Sequence, residues 1–251
     1  MNPQILTRQQ LVGVSEKLER AYENILNLGT EISLFEKLRP NEPVSDDERN
    51  GVEKLLKFLA EKKVPIRFSV IAGEIVHHLR SCLDHIVWLL SSDASKSVKS
   101  ANRIGFPITL KEPRTKDEIE FFQAKIAGVS SVDGIRLIKE LQPYNTPEPA
   151  DHPLAIIHEF DRIDKHQNLV LVVGTFTIDF RVPVMPSVVV GMGERKPETR
   201  HVVLTEKMDL KLAHKVAFGK FGKRENQPVI PAMEQLFNSV RDVVAVFAGE
   251  A

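Results

Sequence analysis

A second cysteine is missing from this chain, so the lone Cys82 forms no disulfide within it. A reducing compartment is therefore the expected setting. An excess of charge is missing as well. Lys and Arg number 34, as do Asp and Glu, which removes the simplest argument for a molecule that binds nucleic acid or membrane with its whole surface. The first ten residues lack the apolar stretch of a secretory leader. Apolar runs such as Leu169 to Val173 fall far short of the ~20 residues that a membrane helix needs. No membrane association and a cytoplasmic location are expected. Repeats and low-complexity blocks are absent too. What remains is a chain of 251 residues, 42% hydrophobic and 27% charged, the composition of a globular protein with enough length to bury a real core.

Apolar residues recur at helical spacing over 4–38, through Leu11, Leu18, Ile25, Leu28, Ile32 and Phe35. Pro40 and Pro43 stop that helix. Ser45 with Glu48 resembles a capping box and predicts a helix over 46–62. After Pro65, residues 67–92 carry Ile71, Ile75, Leu79, Leu83, Ile86, Trp88 and Leu90 and read as a deeply buried helix. Residues 93–115 read as a loop with an apolar patch at Ile104 to Ile108. Further helices are expected at 116–127, 131–141, 152–166 and 230–247. Between the last two, β-branched residues over 169–180, 182–190 and 200–205 predict strands. The fold class is α+β, predominantly α: a helical bundle with a small antiparallel β-sheet inserted before the C-terminal helix. One domain spans 1–251, with the β insertion at 167–205.

The densest chemistry lies on the helix 67–92. At ~100° per residue, Glu74, His78, Ser81 and His85 fall along one side of it. Arg80 and Asp84 are four apart and pair as neighbours on the helix surface. A guanidinium that is always charged and imidazoles that titrate near neutrality thus share one element. A structural alternative stands beside this: a buried helix held by its Arg80–Asp84 pair. On 152–166, His158 and Asp161 share a face, and Lys165 lies one turn beyond. Asp164-Lys165-His166 sits at a helix-to-strand turn within reach of the histidine-rich helix, although Lys165 and His166 also complement a helix carbonyl end.

Residues 195–224 hold nine Lys or Arg against three acids, among them Lys215, Lys220, Lys223 and Arg224. Such a segment is a candidate contact for RNA phosphates, or simply a solvated face. Glu74-x-x-His77 matches half of a carboxylate-bridged metal site, and a second such pair is missing. Gly191-Met192-Gly193 lacks the third glycine of a dinucleotide fingerprint. No metal and no cofactor are expected. Cys82 reads as a small core residue.

The stretch Leu79-Arg80-Ser81-Cys82-Leu83-Asp84-His85 resembles the R-x4-H signature of the HEPN superfamily of helical-bundle proteins, many of them metal-independent ribonucleases of toxin–antitoxin and antiviral systems. Gly73 to Trp88, with Phe106-Pro107-Ile108 and Asp164-Lys165-His166, is also similar to a widespread family of uncharacterised bacterial proteins. Ser81 stands where HEPN nucleases often have Asn, Asp or His. The HEPN resemblance implies that Arg80 binds the scissile phosphate. His85 then acts as acid or base while the ribose 2′-hydroxyl attacks, leaving a 2′,3′-cyclic phosphate. It also implies a homodimer whose motif helices meet, RNA as partner, and a toxin–antitoxin or phage-defence setting with an antitoxin that the sequence does not identify. The competing expectations are a non-catalytic helical interaction module with a buried Arg/His/Asp network and a metal-dependent bundle enzyme.

Overall fold

The structure, a computed structural model, describes residues 4–37, 63–97, 103–179, 211–219 and 227–250. Helix α1 (Arg8–Lys37) starts behind a reciprocal cap. The Thr7 amide donates to Gln10 Oε1, and the Gln10 amide donates to Thr7 Oγ1, so two amides that a helix start leaves orphaned find partners. Helix α2 (Ile66–Leu90) begins directly after Pro65. Its apolar spacing buries Ile75, Leu79, Leu83 and Ile86 completely, each contributing ~1.5–3 kcal/mol relative to exposure. This helix is the centre of the molecule: α1 packs along it, and two later helices cover it from other sides.

A single turn, α3 (Asp93–Lys96), follows behind an N-capping Ser92. Helix α4 (Lys116–Lys125) has the reciprocal Thr115/Glu118 box, and α5 (Val132–Glu140) is capped by Ser131. Helix α6 (Pro153–Asp164) has proline at its first position, and His152 Nδ1 accepts from the Leu154 amide. Helix α7 (Val229–Ala248) ends on Gly249 at φ 73°, a left-handed cap that glycine adopts without a Cβ penalty. Its last turn also holds the N-terminal segment, because the Phe247 carbonyl accepts from the amides of Ile5 and Leu6. The described residues therefore form a predominantly helical bundle with a two-stranded antiparallel sheet ahead of the last helix. None of their helices is long and apolar enough to cross a membrane.

Strands β1 (Leu171–Asp179) and β2 (Lys211–Phe218) pair from Leu171 opposite Phe218 to Asp179 opposite Lys211, with an irregularity between Val173 and Thr175. Phe218 stacks on Phe160 of α6, ring centroids 5.0 Å apart, which fastens the sheet to the bundle. The sheet departs from the expected insertion of 167–205, because its second strand lies beyond residue 205. The sequence there, Lys211-Leu-Ala-His-Lys-Val-Ala-Phe218, carries lysines that disguise a strand whose end, Val216 to Phe218, is buried. The expected helix 46–62 and strands 182–190 and 200–205 lie outside the described residues. The loop 93–115 contains α3, and the proline-rich connection contains two 3-10 turns, Pro143–Asn145 and Pro149–Asp151.

Candidate functional site

Two polar faces run along α2, and they divide the motif between them. The first meets α1. Lys17 Nζ donates to Ser81 Oγ at 2.7 Å, and Asn24 Nδ2 donates to Glu74 Oε2 at 3.3 Å. The His85 ring packs on Gly13, where a Cβ would stand 2.9 Å from His85 Cε1, so only glycine admits the imidazole this close. His85 Nδ1 is buried with no hydrogen-bond partner. Burial, and then the charge of Lys17, pushes the His85 pKa down. His78 is pushed down by burial first, then by His77 and Arg20, against an opposing pull from Glu74. Cys82 also faces α1, with its Sγ 3.6 Å from the Val14 carbonyl; burial pushes its thiol up to about 12, which keeps it protonated and inert.

The second face meets α6 and the loop before α4, and it holds Arg80. Arg80 Nε donates to Asp84 Oδ2 at 3.2 Å, and Nη2 donates both to Asp84 Oδ1 and to the Phe106 carbonyl, each at 2.7 Å. The Phe106 amide returns a bond to Asp84 Oδ1 at 2.8 Å. Gly105 lets the loop come this close, since a Cβ there would stand 2.7 Å from Asp84 Oδ1. The Gly105 amide also donates to the Lys125 carbonyl, which places the end of α4 beside the pair. Arg80 is only 8% exposed, and its Nη1 amino group is buried without a partner.

Helix α6 supplies the remaining groups on this face. Asp161 is buried and accepts from Lys165 Nζ at 2.6 Å, while His77 Nδ1 of α2 lies 3.5 Å from its other oxygen. Asp164 rests against Gly73 of α2, in space that a Cβ would fill. Burial, then Asp161, pushes the Asp164 carboxyl up, with His77 opposing. His158 is pushed down by burial and next by Arg80, with Asp161 and Glu159 opposing and Lys125 adding to the fall. Lys125 is pushed down by burial and then by Arg80, against Asp84. Three helices thus bring Arg80, Lys125, His158 and Lys165 together around two carboxylates, Asp84 and Asp161.

The expected site residues therefore separate. Arg80, Asp84, Asp164 and Lys165 share the α6 side, whereas Glu74, His78, Ser81 and His85 share the α1 side. Among the described residues Arg80 and His85 share no hydrogen-bond partner, in keeping with their spacing of five residues, ~140° around a helix. His166 is exposed past the end of α6. Lys215 is exposed on β2, at a cavity of about 560 Å³ between α1 and the start of α7, away from this site. Lys220, Lys223 and Arg224 lie outside the described residues. Glu74 and His77 diverge to Asn24 and Asp161, and among the described residues no three His, Cys, Asp or Glu side chains gather at one point. Lys125 carries no local signal in the sequence, because only the Gly105 loop brings it to Arg80. His158 does carry one: its helical spacing to Asp161 and Lys165.

Comparison of the chain with protein-family models, with curated proteins and with solved structures finds no significant match.

Proposed function

We propose that the chain is an RNA-binding helical-bundle protein that cleaves RNA without a metal, as its resemblance to the HEPN superfamily implies. The working site in this reading is the face shared by α2, α4 and α6. The observation that carries it is Arg80. Two contacts to Asp84 and one to the Phe106 carbonyl hold the guanidinium in one orientation, its Nη1 is buried with no hydrogen-bond partner, and its charge pushes down the pKa of both Lys125 and His158. A fixed cation at low exposure is what a phosphate acquiring charge in a transition state requires. A phosphodiester is the natural ligand of a planar guanidinium with adjacent ammonium groups.

The setting that goes with this reading is the cytoplasm, and the oligomer is a homodimer. On α2 the exposed Ile66, Val70, His77 and Trp88 are available to such a contact. Incubation with single-stranded and structured RNA in chelator tests the activity. Fragments ending in 2′,3′-cyclic phosphate and 5′-hydroxyl are expected, with slower cleavage by Arg80→Lys, which keeps the charge and loses the bidentate geometry. Intact RNA would contradict the reading.

A second reading has its own support. Ser81, Glu74, Arg80 and Asp84 all find partners inside one chain, as expected of a non-catalytic interaction module. RNA binding without cleavage by the folded protein would favour it.

A further inference from the structure

We infer that the cavity between α4 and α5 is a binding site for a free α-amino acid with an apolar side chain; this goes beyond the ribonuclease reading and does not rest on it. The cavity measures about 390 Å³, within the ~300–1,000 Å³ of small-molecule sites. Ile119, Phe122 and Ile126 of α4 and Ile135 of α5 give it apolar walls, with Phe122 and Ile126 buried. Polar groups share the same lining: Glu112 in the loop before α4, Lys139 in the last turn of α5, and Tyr144 in the 3-10 turn that follows. Hydrogen bonds hold each of these segments without a ligand. The Thr115/Glu118 box fixes the start of α4 just after Glu112. Gln142, 1% exposed, accepts from the Thr109 amide at 3.1 Å and donates to the Pro107 carbonyl at 2.8 Å, which ties the loop to the turn. Asn145 Nδ2 donates to the Lys139 and Glu140 carbonyls at 2.8 and 3.0 Å, which ties the turn to the end of α5. Walls arranged in advance lose less freedom when a ligand binds.

The charges on the lining select the ligand. Glu112 and Lys139 are opposite in sign and both exposed, yet they do not pair with each other. Lys139 Nζ and the Tyr144 hydroxyl bond to no described residue. Glu112 keeps a 3.4 Å contact to Arg114, with both side chains well exposed, a kind of surface pair that contributes little. Burial, then Glu112, pushes the Tyr144 phenol up, so it stays a neutral hydroxyl. A zwitterion answers both charges: its carboxylate accepts from Lys139 Nζ, its ammonium donates to Glu112, and its apolar side chain covers Phe122 and Ile126. An acid without the ammonium would bring its carboxylate to a lining that carries Glu112. An amine without the carboxylate would leave Lys139 unanswered.

The test is titration of the full chain with phenylalanine, 3-phenylpropionate and phenethylamine, followed by amide chemical shifts, for wild type, Glu112→Gln, Lys139→Gln and Ile119→Trp, each with a melting curve. Phenylalanine is expected to bind wild type with a dissociation constant between about 10 µM and about 1 mM. Each analogue lacks one charged group and is expected to bind at least about tenfold more weakly. Glu112→Gln is expected to close the gap between phenylalanine and 3-phenylpropionate, and Lys139→Gln the gap between phenylalanine and phenethylamine. Ile119→Trp, which puts an indole into the cavity, is expected to abolish binding with the melting temperature kept. No response to phenylalanine at about 10 mM overturns the inference. An analogue that binds wild type as tightly as phenylalanine also overturns it, because one charge would then be idle. So does a folded Ile119→Trp with wild-type affinity, which would place the ligand elsewhere.

Discussion

Asp84 does three things with one carboxylate: it neutralises Arg80, orients it, and ties down the Phe106 amide. Removing it leaves a guanidinium that is 8% exposed without its counter-ion and a backbone donor without an acceptor. Asp84→Ala is therefore expected to destabilise the fold by about 2–3 kcal/mol, below the largest losses for buried pairs because the Asp84 side chain is 40% exposed. The urea midpoint measures this, and an unchanged midpoint would show that the pair is dispensable. The Arg80–Asp84 pair was legible in the sequence, because neighbours four apart on one helix meet whatever the tertiary fold. The loop carbonyl that shares Arg80 was not, since Phe106 reaches it from 26 residues along the chain.

At the scale of elements, the closest approaches of α2 depend on missing side chains. Gly73 admits the Asp164 carboxylate of α6, and alanine there would collide with it. The gain in helix propensity, about 1 kcal/mol, is smaller than the 1–3 kcal/mol typical of overpacking, so Gly73→Ala is expected to lower the melting temperature. Gly29 on α1 is the control. Its Cβ would find Ile230 Cδ1 at 3.8 Å, ordinary contact, so Gly29→Ala is expected to raise it. Equal shifts in both variants would contradict this account of the packing.

Helices were readable where proline or a capping pair punctuated an apolar period, as at Pro65 before α2 and at Pro153 in α6. β2 was hidden because its lysines mimic a solvated loop, and only pairing with β1 reveals it. The site suffered the same limit. Contacts within α2 or within α6 follow from spacing, whereas Lys125 reaches Arg80 only through the tertiary path of Gly105.

For the whole molecule, four histidines share one direction of shift. Burial pushes His78, His85, His152 and His158 down from 6.5. Their folded forms resist protonation, so the unfolded chain binds more protons once pH drops below about 6.5. Stability is full above that value and is lost as pH falls through the folded values. Asp164, pushed up from 3.8, works in the opposite sense, beginning in the carboxylate range. Urea unfolding at about pH 8 and about pH 5.5 is expected to give the lower midpoint in acid, with a smaller difference for His85→Gln. Equal midpoints would contradict the burial of these imidazoles.

In the proposed function the α6 side of α2, and not its α1 side, meets phosphate. The salt dependence of RNA binding measures it directly, because each cation in contact with a single strand adds about 0.7 to the slope of log affinity against log salt. Lys125→Ala is predicted to flatten that slope by about 0.7, and Lys17→Ala, on the α1 side, to leave it unchanged. A flattened slope in Lys17→Ala with a wild-type slope in Lys125→Ala would place the RNA on the other face and contradict the account.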